Sequence, residues 1–152
     1  MGSDSAAEEY DVIIIGAGVT GIYQTYRAVK AGFSVKTFEA GTNVGGTWYW
    51  NRYPGARFDS ESYIYGYTFS KELQQEWDWK EHYSGQPETE KYLNFVTDKF
   101  DLRRHMQFKT RIEKSEYNEE ENNWTVTTED GKTAKAKFLV ASVGILSEPH
   151  MP

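Results

Sequence analysis

Residues 10–21, YDVIIIGAGVTG, decide the fold of this chain. The run at 10–15 is apolar and rich in β-branched residues, as in a parallel strand that is buried on both faces. It leads directly into Gly16-Ala17-Gly18-Val19-Thr20-Gly21, which fits the pattern G-x-G-x-x-G. Between a strand and a helix, such glycines permit a tight turn and let backbone amides approach a pyrophosphate. The stretch therefore predicts the start of a dinucleotide-binding β-α-β unit.

The next residues complete that unit and supply a ribose ligand. Apolar side chains recur at helical spacing from Ile22 to Val29, and Gly32 is a typical helix stop. Residues 33–39, FSVKTFE, predict the second strand. It ends in Glu39, which lies 18 residues after Gly21. A carboxylate there would accept hydrogen bonds from both ribose hydroxyls and repel a 2′-phosphate, so FAD or NAD fits and NADP does not. The alternative is a surface Glu at a strand end.

A long aromatic segment follows Glu39. Residues 40–70 are rich in glycine, aromatic residues and turn formers, and 12 of the 24 aromatic residues lie between Trp48 and Tyr83. Gly45-Gly46-Thr47 opens this segment where a plain NAD domain would begin a helix, which favours FAD over NAD. Aromatic rings could stack on an isoalloxazine, and Asp59 could accept hydrogen bonds from a cofactor. Alternatively the aromatic residues form core and interface, which we favour for most of them, including Trp77 and Trp79.

The second half predicts one helix and then several strands. A helix opens at Pro87 and reaches towards Arg103 and Arg104. A short strand is expected at 106–108, and alternation then indicates a three-stranded antiparallel meander over residues 112–138, with a turn at Asp130-Gly131. A last buried strand is expected at 138–143. The fold class is thus α/β, a Rossmann-like domain that carries a β meander.

Composition excludes several kinds of protein. The chain has 152 residues, no cysteine and a net charge of −6. Without cysteine there is no thiolate zinc site, iron–sulfur cluster or nucleophilic thiol, and three histidines leave little room for a metal, so none is expected. The acidic charge argues against nucleic acid as a partner. No apolar run is long enough to span a membrane. We interpret residues 1–9 as a flexible tail, residues 10–152 as one domain, and the protein as cytoplasmic.

Residues 45–59, GGTWYWNRYPGARFD, carry a resemblance to a known family. They resemble the Baeyer–Villiger monooxygenases, flavoproteins that use FAD and NADPH to turn ketones into esters or lactones. The similarity covers nearly the whole chain from Tyr10 onward. It continues through Tyr63-Ile64-Tyr65, Glu76-Trp77-Asp78-Trp79, Gln86-Pro87, Asp98-Lys99-Phe100-Asp101, Ala141-Ser142-Val143-Gly144 and Leu146-Ser147.

The resemblance assigns roles to individual positions. It implies cofactor contacts at Gly16, Gly18, Thr20, Gly21, Glu39, Gly46, Thr47, Trp48, Tyr49, Trp50, Asp59, Tyr65 and Ile112. The four residues of the glycine motif would hold the FAD pyrophosphate, and the backbone of Ile112 would meet the adenine. Arg57 and Asp59 would lie where the nicotinamide approaches the flavin, as supporting groups and not as proton-transfer catalysts.

The resemblance also implies a reaction and the parts that it needs. NADPH would reduce FAD, O2 would add to give a C4a-peroxyflavin, and this would attack a ketone. The family's second G-x-G-x-x-G, its downstream fingerprint and its catalytic arginine do not occur in this chain. His150-Met151-Pro152 falls where the family's chain leaves the FAD domain. The chain would then be the first FAD-binding segment, with the NADPH domain absent, and its partners would be the remaining segments or a second chain.

Three interpretations of the sequence remain open. The chain works as an enzyme with the other segments, it is a stand-alone FAD or dinucleotide-binding module, or it is an engineered scaffold without a cofactor. We expect the chain alone to bind FAD without full turnover.

Overall fold

A six-stranded mixed sheet forms the centre of the molecule. The computed structural model describes residues 7–147. Its strands are β1 (Glu8–Ile15), β2 (Val35–Phe38), β3 (Met106–Gln107), β4 (Ile112–Asn118), β5 (Asn123–Thr128) and β6 (Thr133–Ala141). Their order across the sheet is β3-β2-β1-β6-β5-β4. The first four run parallel, and β6, β5 and β4 form the antiparallel meander. The predicted α/β class and Rossmann-like architecture are confirmed.

Five α-helices lie between these strands. They are α1 (Val19–Lys30), α2 (Thr47–Trp50), α3 (Ser62–Tyr65), α4 (Lys71–Glu76) and α5 (Gln86–Lys99). Only α1 and α5 are longer than two turns. The three short helices lie in the segment where the sequence shows no sustained period. None of the helices within residues 7–147 is long and apolar enough to cross a membrane.

The first strand is longer than the sequence predicts. β1 begins at Glu8, so Glu8 and Glu9 belong to the strand and not to the predicted tail. The reason is long-range, because β6 extends far enough to pair with both residues, at Ala134 and Lys135. Residues 1–6 of the predicted tail and the predicted domain exit at His150-Met151-Pro152 lie outside the described residues.

The meander and the last parallel strand share one strand. We expected a separate buried strand at 138–143, and this is wrong in detail. β6 pairs antiparallel with β5 at Trp124↔Ala136 and runs on to pair parallel with β1 as far as Ile15↔Ala141. No turn residue interrupts it, so one strand serves both parts of the sheet. It is also less buried than expected, since Phe138 is 57% exposed.

Helix α5 ends earlier than predicted. It stops at Lys99, and Asp101 adopts a positive φ of 52° that ends the helical path. Arg103 therefore lies in a separate 3-10 helix (Arg103–His105), from which its guanidinium donates to Asp98, Asn94 and Asn43. Arg103 thus links α5 to the segment after β2, and neither Arg103 nor Arg104 lies in the last turn of the helix.

The aromatic segment builds most of one core. A cluster that contains Trp48, Phe58 and Tyr92 lies under α1 and α5, and Trp77 and Trp79 pack against it. Burial raises the pKa of Tyr92 to about 12, because the phenolate would lose its hydration there. The interpretation of Trp77 and Trp79 as core residues agrees with this packing.

Candidate functional site

The turn between β1 and α1 depends on glycine. Gly16 has a φ of +96°, and a Cβ there would lie 2.5 Å from the carbonyl oxygen of Ser142. A Cβ on Gly21 would lie 1.9 Å from the carbonyl oxygen of Gly16. The two glycines let β1, α1 and the end of β6 meet at one point, as the glycine motif predicts.

The start of α1 presents free backbone donors. Gly18 is its N-cap residue and supplies no side-chain cap, and the first helical bond runs from the amide of Ile22 to the carbonyl of Gly18. Among residues 7–147, the amides of Val19, Thr20 and Gly21 find no hydrogen-bond acceptor. No acidic side chain lies in the first turn. Three free N–H groups at the positive end of a helix dipole form a place for an anion such as a pyrophosphate.

The aromatic segment begins in direct contact with this turn. Gly46 has a φ of +53°, and a Cβ there would lie 2.7 Å from the Cα of Gly18. One residue earlier, the amide of Gly45 donates to the carbonyl of Ala17 at 3.0 Å. Two backbones 28 residues apart thus touch with no side chain between them. The structure brings together the glycine motif and the predicted flavin-side segment.

Glu39 lies beside the same turn. Its side chain is buried, with the residue 5% exposed, and the two oxygens accept from the amides of Ala17 and Gly41, each at 2.7 Å. The sequence predicts ribose hydroxyls as its partners. The structure shows that its oxygens first hold two loops together. Since each carboxylate oxygen can accept more than one hydrogen bond, lone pairs remain for a ribose.

Two further predicted contacts lie close to Glu39. The amide of Thr110 donates to the Glu39 carbonyl at 2.9 Å, which places Ile112, two residues further on, at this end of the sheet. Tyr49 covers Gly41, and a Cβ on that glycine would lie 2.7 Å from the Tyr49 ring. Hydrogen bonds from Thr42 to its hydroxyl lower the pKa of Tyr49.

Trp48 and Tyr65 are core residues in this structure. The indole Nε1 of Trp48 donates to the Tyr65 hydroxyl at 2.6 Å, and the Tyr65 ring stacks on Phe58 with centroids 4.3 Å apart. Burial raises the pKa of Tyr65. By contrast Thr47 and Trp50 are exposed, Trp50 by 58%. Of the aromatic residues at 48–50, Trp50 is thus the most exposed, although its ring also packs edge-to-face with Tyr49.

We expect Tyr65→Phe to destabilise the chain by about 1–2 kcal/mol, because the buried N–H of Trp48 would lose its acceptor. Urea denaturation followed by tryptophan fluorescence measures this. Tyr63→Phe is the matched control: Tyr63 lies on the same short helix, is 66% exposed, and its hydroxyl has no partner among the described residues. Equal midpoints for the two variants would contradict the assignment.

Among the described residues, the side chains of Arg57 and Asp59 make no hydrogen bond to the glycine turn. The Arg57 guanidinium donates to Glu81 at 3.1 Å and to the Tyr83 carbonyl at 3.0 Å. Asp59 is exposed, and its carboxylate accepts no hydrogen bond within residues 7–147. Both side chains are therefore accessible, and their predicted supporting role stays a prediction.

Ser142 is a site residue that sequence reasoning did not select. It follows β6, its amide donates to the carbonyl of Ile15, and its backbone faces Gly16. Its buried Oγ has no partner among the described residues. The signal that could have found it is topological, because the carboxyl ends of adjacent parallel strands meet at one edge. Sequence order alone leaves β1 and β6 more than a hundred residues apart.

Two cavities lie away from this turn. One of about 480 Å³ is lined by Trp77, Trp79 and Tyr92, and one of about 530 Å³ lies along α5 beside Arg52 and Glu90. Neither is lined by the glycine motif or by Glu39. The candidate site is therefore described by its backbone amides and by Glu39, and not by either of these cavities.

Comparisons with known proteins agree with this geometry. A family model described as "NAD(P)-binding Rossmann-like domain" matches residues 14–78. The acetone monooxygenase (methyl acetate-forming) of Gordonia sp. (strain TY-5) is 47% identical over 139 residues, which are 91% of this chain and 26% of that protein. A Baeyer-Villiger monooxygenase of Pseudooceanicola batsensis is 43% identical over 145 residues, covering 95% and 27%. The chain is homologous to the N-terminal part of Baeyer–Villiger monooxygenases.

A solved structure shows that the similarity extends to the three-dimensional fold. The crystal structure of "OTEMO" in complex with FAD and NADP superposes with a TM-score of 0.89 at 46% identity, covering 94% of this chain and 27% of that one. The chain thus spans about a quarter of the length of the Baeyer–Villiger monooxygenases that it matches. The glycine turn, Glu39 and the aromatic segment all fall within the shared part.

Proposed function

We propose that this chain is the FAD-binding segment of an NADPH- and O2-dependent Baeyer–Villiger monooxygenase that converts ketones to esters or lactones. Its own task is to hold the dinucleotide, with the pyrophosphate at the start of α1 and the adenosine ribose at Glu39. The NADPH site and the catalytic arginine would come from segments outside this chain. The domain that the sequence predicts at residues 10–152 then also includes Glu8 and Glu9 of β1. A cytoplasmic location stays a prediction.

The contact between Gly18 and Gly46 carries the proposal. A plain NAD-binding turn needs only the first glycine motif. Here a second glycine pair, Gly45-Gly46, approaches the same turn so closely that the backbones touch. The aromatic segment therefore starts beside the glycine turn, where we propose that the pyrophosphate binds, and leads away from it. This arrangement suits a ligand that extends beyond its phosphates, as FAD does.

The residues present fit FAD in three respects. The three free amides of α1 suit a diphosphate, and Glu39 retains lone pairs for ribose hydroxyls. Ser142 Oγ, buried and unpaired beside Gly16, could donate to a further oxygen of the ligand. When bound, FAD would supply the redox chemistry, taking hydride from NADPH and reducing O2. The chain's residues would bind and orient it, and the exposed side chains of Trp50, Arg57 and Asp59 would be accessible to further segments.

Titration of the purified chain with FAD, ADP and NADP tests the proposal. We expect FAD and ADP to bind, with FAD absorption and fluorescence changed on binding. NADP should bind at least tenfold more weakly than FAD, because a 2′-phosphate would meet the Glu39 carboxylate. A chain that stays colourless and binds neither FAD nor ADP at millimolar concentration would refute the proposal.

The alternative, a stand-alone binding module, also predicts FAD binding. It differs from the proposal in that the chain does not work together with further segments of an enzyme. With FAD, NADPH and a cyclic ketone under air, we expect no lactone from this chain alone. Lactone should form only when the remaining segments of a homologous enzyme are supplied as a second polypeptide. Binding without such complementation would favour the module.

A further inference from the structure

Helix α5 contacts the aromatic segment through a buried glutamine. Gln86, in the first turn of α5, is nearly inaccessible to solvent. Its Nε2 donates to the backbone carbonyl of Trp48 and, at 2.9 Å, to the carboxylate of Glu90. Gln86 and Glu90 are four residues apart and so lie on one face of the helix. One side chain thus joins the carbonyl of the segment to a carboxylate of the helix.

Arg52 closes the path back to the same segment. Its Nη2 donates to the other oxygen of the Glu90 carboxylate, Oε1, at 2.5 Å, and the Glu90 side chain is only 16% exposed. Its Nε donates to the carbonyl of Tyr49 at 2.9 Å, and its guanidinium carbon lies 5.4 Å from the centroid of the Tyr49 ring. The carbonyls of two successive residues, Trp48 and Tyr49, are therefore held through Gln86, Glu90 and Arg52. We call these three side chains the α5 clamp.

The segment needs such support because it cannot hold its own conformation. Helix α2 has four residues, a single turn, and one turn of helix is unstable in isolation. Its near end is fixed at Gly46 by the contact with Gly18. Its far end is Trp50, which is exposed, and Arg52 follows two residues later. The α5 clamp fixes the far end as the glycine contact fixes the near end.

We infer that Gln86, Glu90 and Arg52 are positioning residues that hold residues 48–52 in place for the flavin half of FAD. This inference rests on the proposed FAD function. The adenine half would be bound at Glu39 and the start of α1, to which none of the three clamp side chains makes a hydrogen bond. Loss of the clamp should therefore weaken binding of FAD and leave binding of ADP nearly unchanged.

The identity of Arg52 is part of the inference. Its guanidinium reaches the Glu90 carboxylate and the Tyr49 carbonyl at once, through different nitrogens. A lysine keeps the charge but is a single point donor and cannot hold both acceptors in fixed directions. We therefore expect Arg52→Lys to weaken FAD binding as loss of the α5 clamp would, although the charge is conserved. Because Arg52 is largely exposed, this variant should still fold.

The test compares dissociation constants for FAD and for ADP in the 152-residue chain. Glu90→Gln and Arg52→Lys are expected to raise the FAD constant about tenfold and the ADP constant less than twofold. The visible absorption band of bound FAD should also shift towards that of free FAD, because its ring would be held less firmly. The matched control is Glu76→Gln, which removes a 2.7 Å ion pair between Glu76 of α4 and Lys99 at the other end of α5. It should leave both constants and the band unchanged.

Each other result overturns the inference in a different way. Equal weakening of FAD and ADP would show that the clamp supports the whole fold and not the flavin end. An unchanged FAD constant in both variants would show that residues 48–52 need no clamp. If the unaltered chain binds neither ligand, the proposed function itself fails and the positioning role falls with it.

Discussion

Gly21→Ala is expected to destabilise the chain by about 3 kcal/mol or more, which corresponds to a fall in Tm of roughly 6–12 °C for a domain of this size. The new Cβ would lie 1.9 Å from the carbonyl oxygen of Gly16 and 2.8 Å from its carbon. Gly16 cannot move away easily, because its amide donates to the carbonyl of Phe38 and the carbonyl of Ser142 lies against its Cα. Three strand ends would have to move to relieve one methyl group. Thermal unfolding followed by circular dichroism measures the change.

Gly85→Ala is the control for this substitution. Gly85 is also at the start of a helix, as the N-cap residue of α5, and it has an ordinary φ of −80°. The nearest atom to a Cβ there is 3.6 Å away, an ordinary contact. We expect a loss of about 1 kcal/mol or less, the usual cost of alanine at an N-cap. A similar loss in both variants would mean that the tight packing at Gly21 is not required.

Glu39→Ala is expected to cost roughly 3 kcal/mol of stability even without a ligand. The amides of Ala17 and Gly41 would both lose their acceptor, and a buried donor left unpaired costs about 1–3 kcal/mol. The same change should weaken FAD binding at least tenfold, because the ribose ligand and the position of the glycine turn are lost together. Urea denaturation and FAD titration measure the two effects separately.

Glu113→Ala provides the comparison for Glu39. Glu113 lies on β4, is exposed, and its carboxylate has no hydrogen-bond partner within residues 7–147. Its removal should change stability by less than about 0.5 kcal/mol. If Glu39→Ala also left stability and FAD affinity unchanged, Glu39 would be neither a tether nor a ligand.

Local sequence predicted the elements that depend on neighbouring residues. The apolar run before Gly16, the glycine motif and the spacing to Glu39 specify a β-α-β unit, because each depends on backbone preferences and periodicity within about 30 residues. The turn at Asp130-Gly131 likewise predicted the hairpin between β5 and β6. Family resemblance extended this to the cofactor and the reaction.

Tertiary structure decided what the predicted residues do. Glu39 was predicted as a ribose ligand, yet its first partners are two backbone amides, one of which lies 22 residues earlier. Trp48 and Tyr65 were predicted as cofactor contacts, and in the structure the indole N–H of Trp48 donates to the Tyr65 hydroxyl at the core. β6 joins the meander to the parallel strands because it pairs with β5 along one edge and with β1 along the other.

One physical reason explains why the sequence predicts some of these features and not the others. Backbone conformation at a glycine or a turn is set by the sterics of a few adjacent residues, so it can be inferred from the order of the sequence. The contact of Gly18 with Gly46 and the α5 clamp join residues that are 28 to 38 positions apart. Such contacts arise only when the whole chain packs. The sequence by itself determined the β-α-β unit with its dinucleotide-binding glycine turn. The packing of the whole chain decided which side chains remain free to contact a ligand.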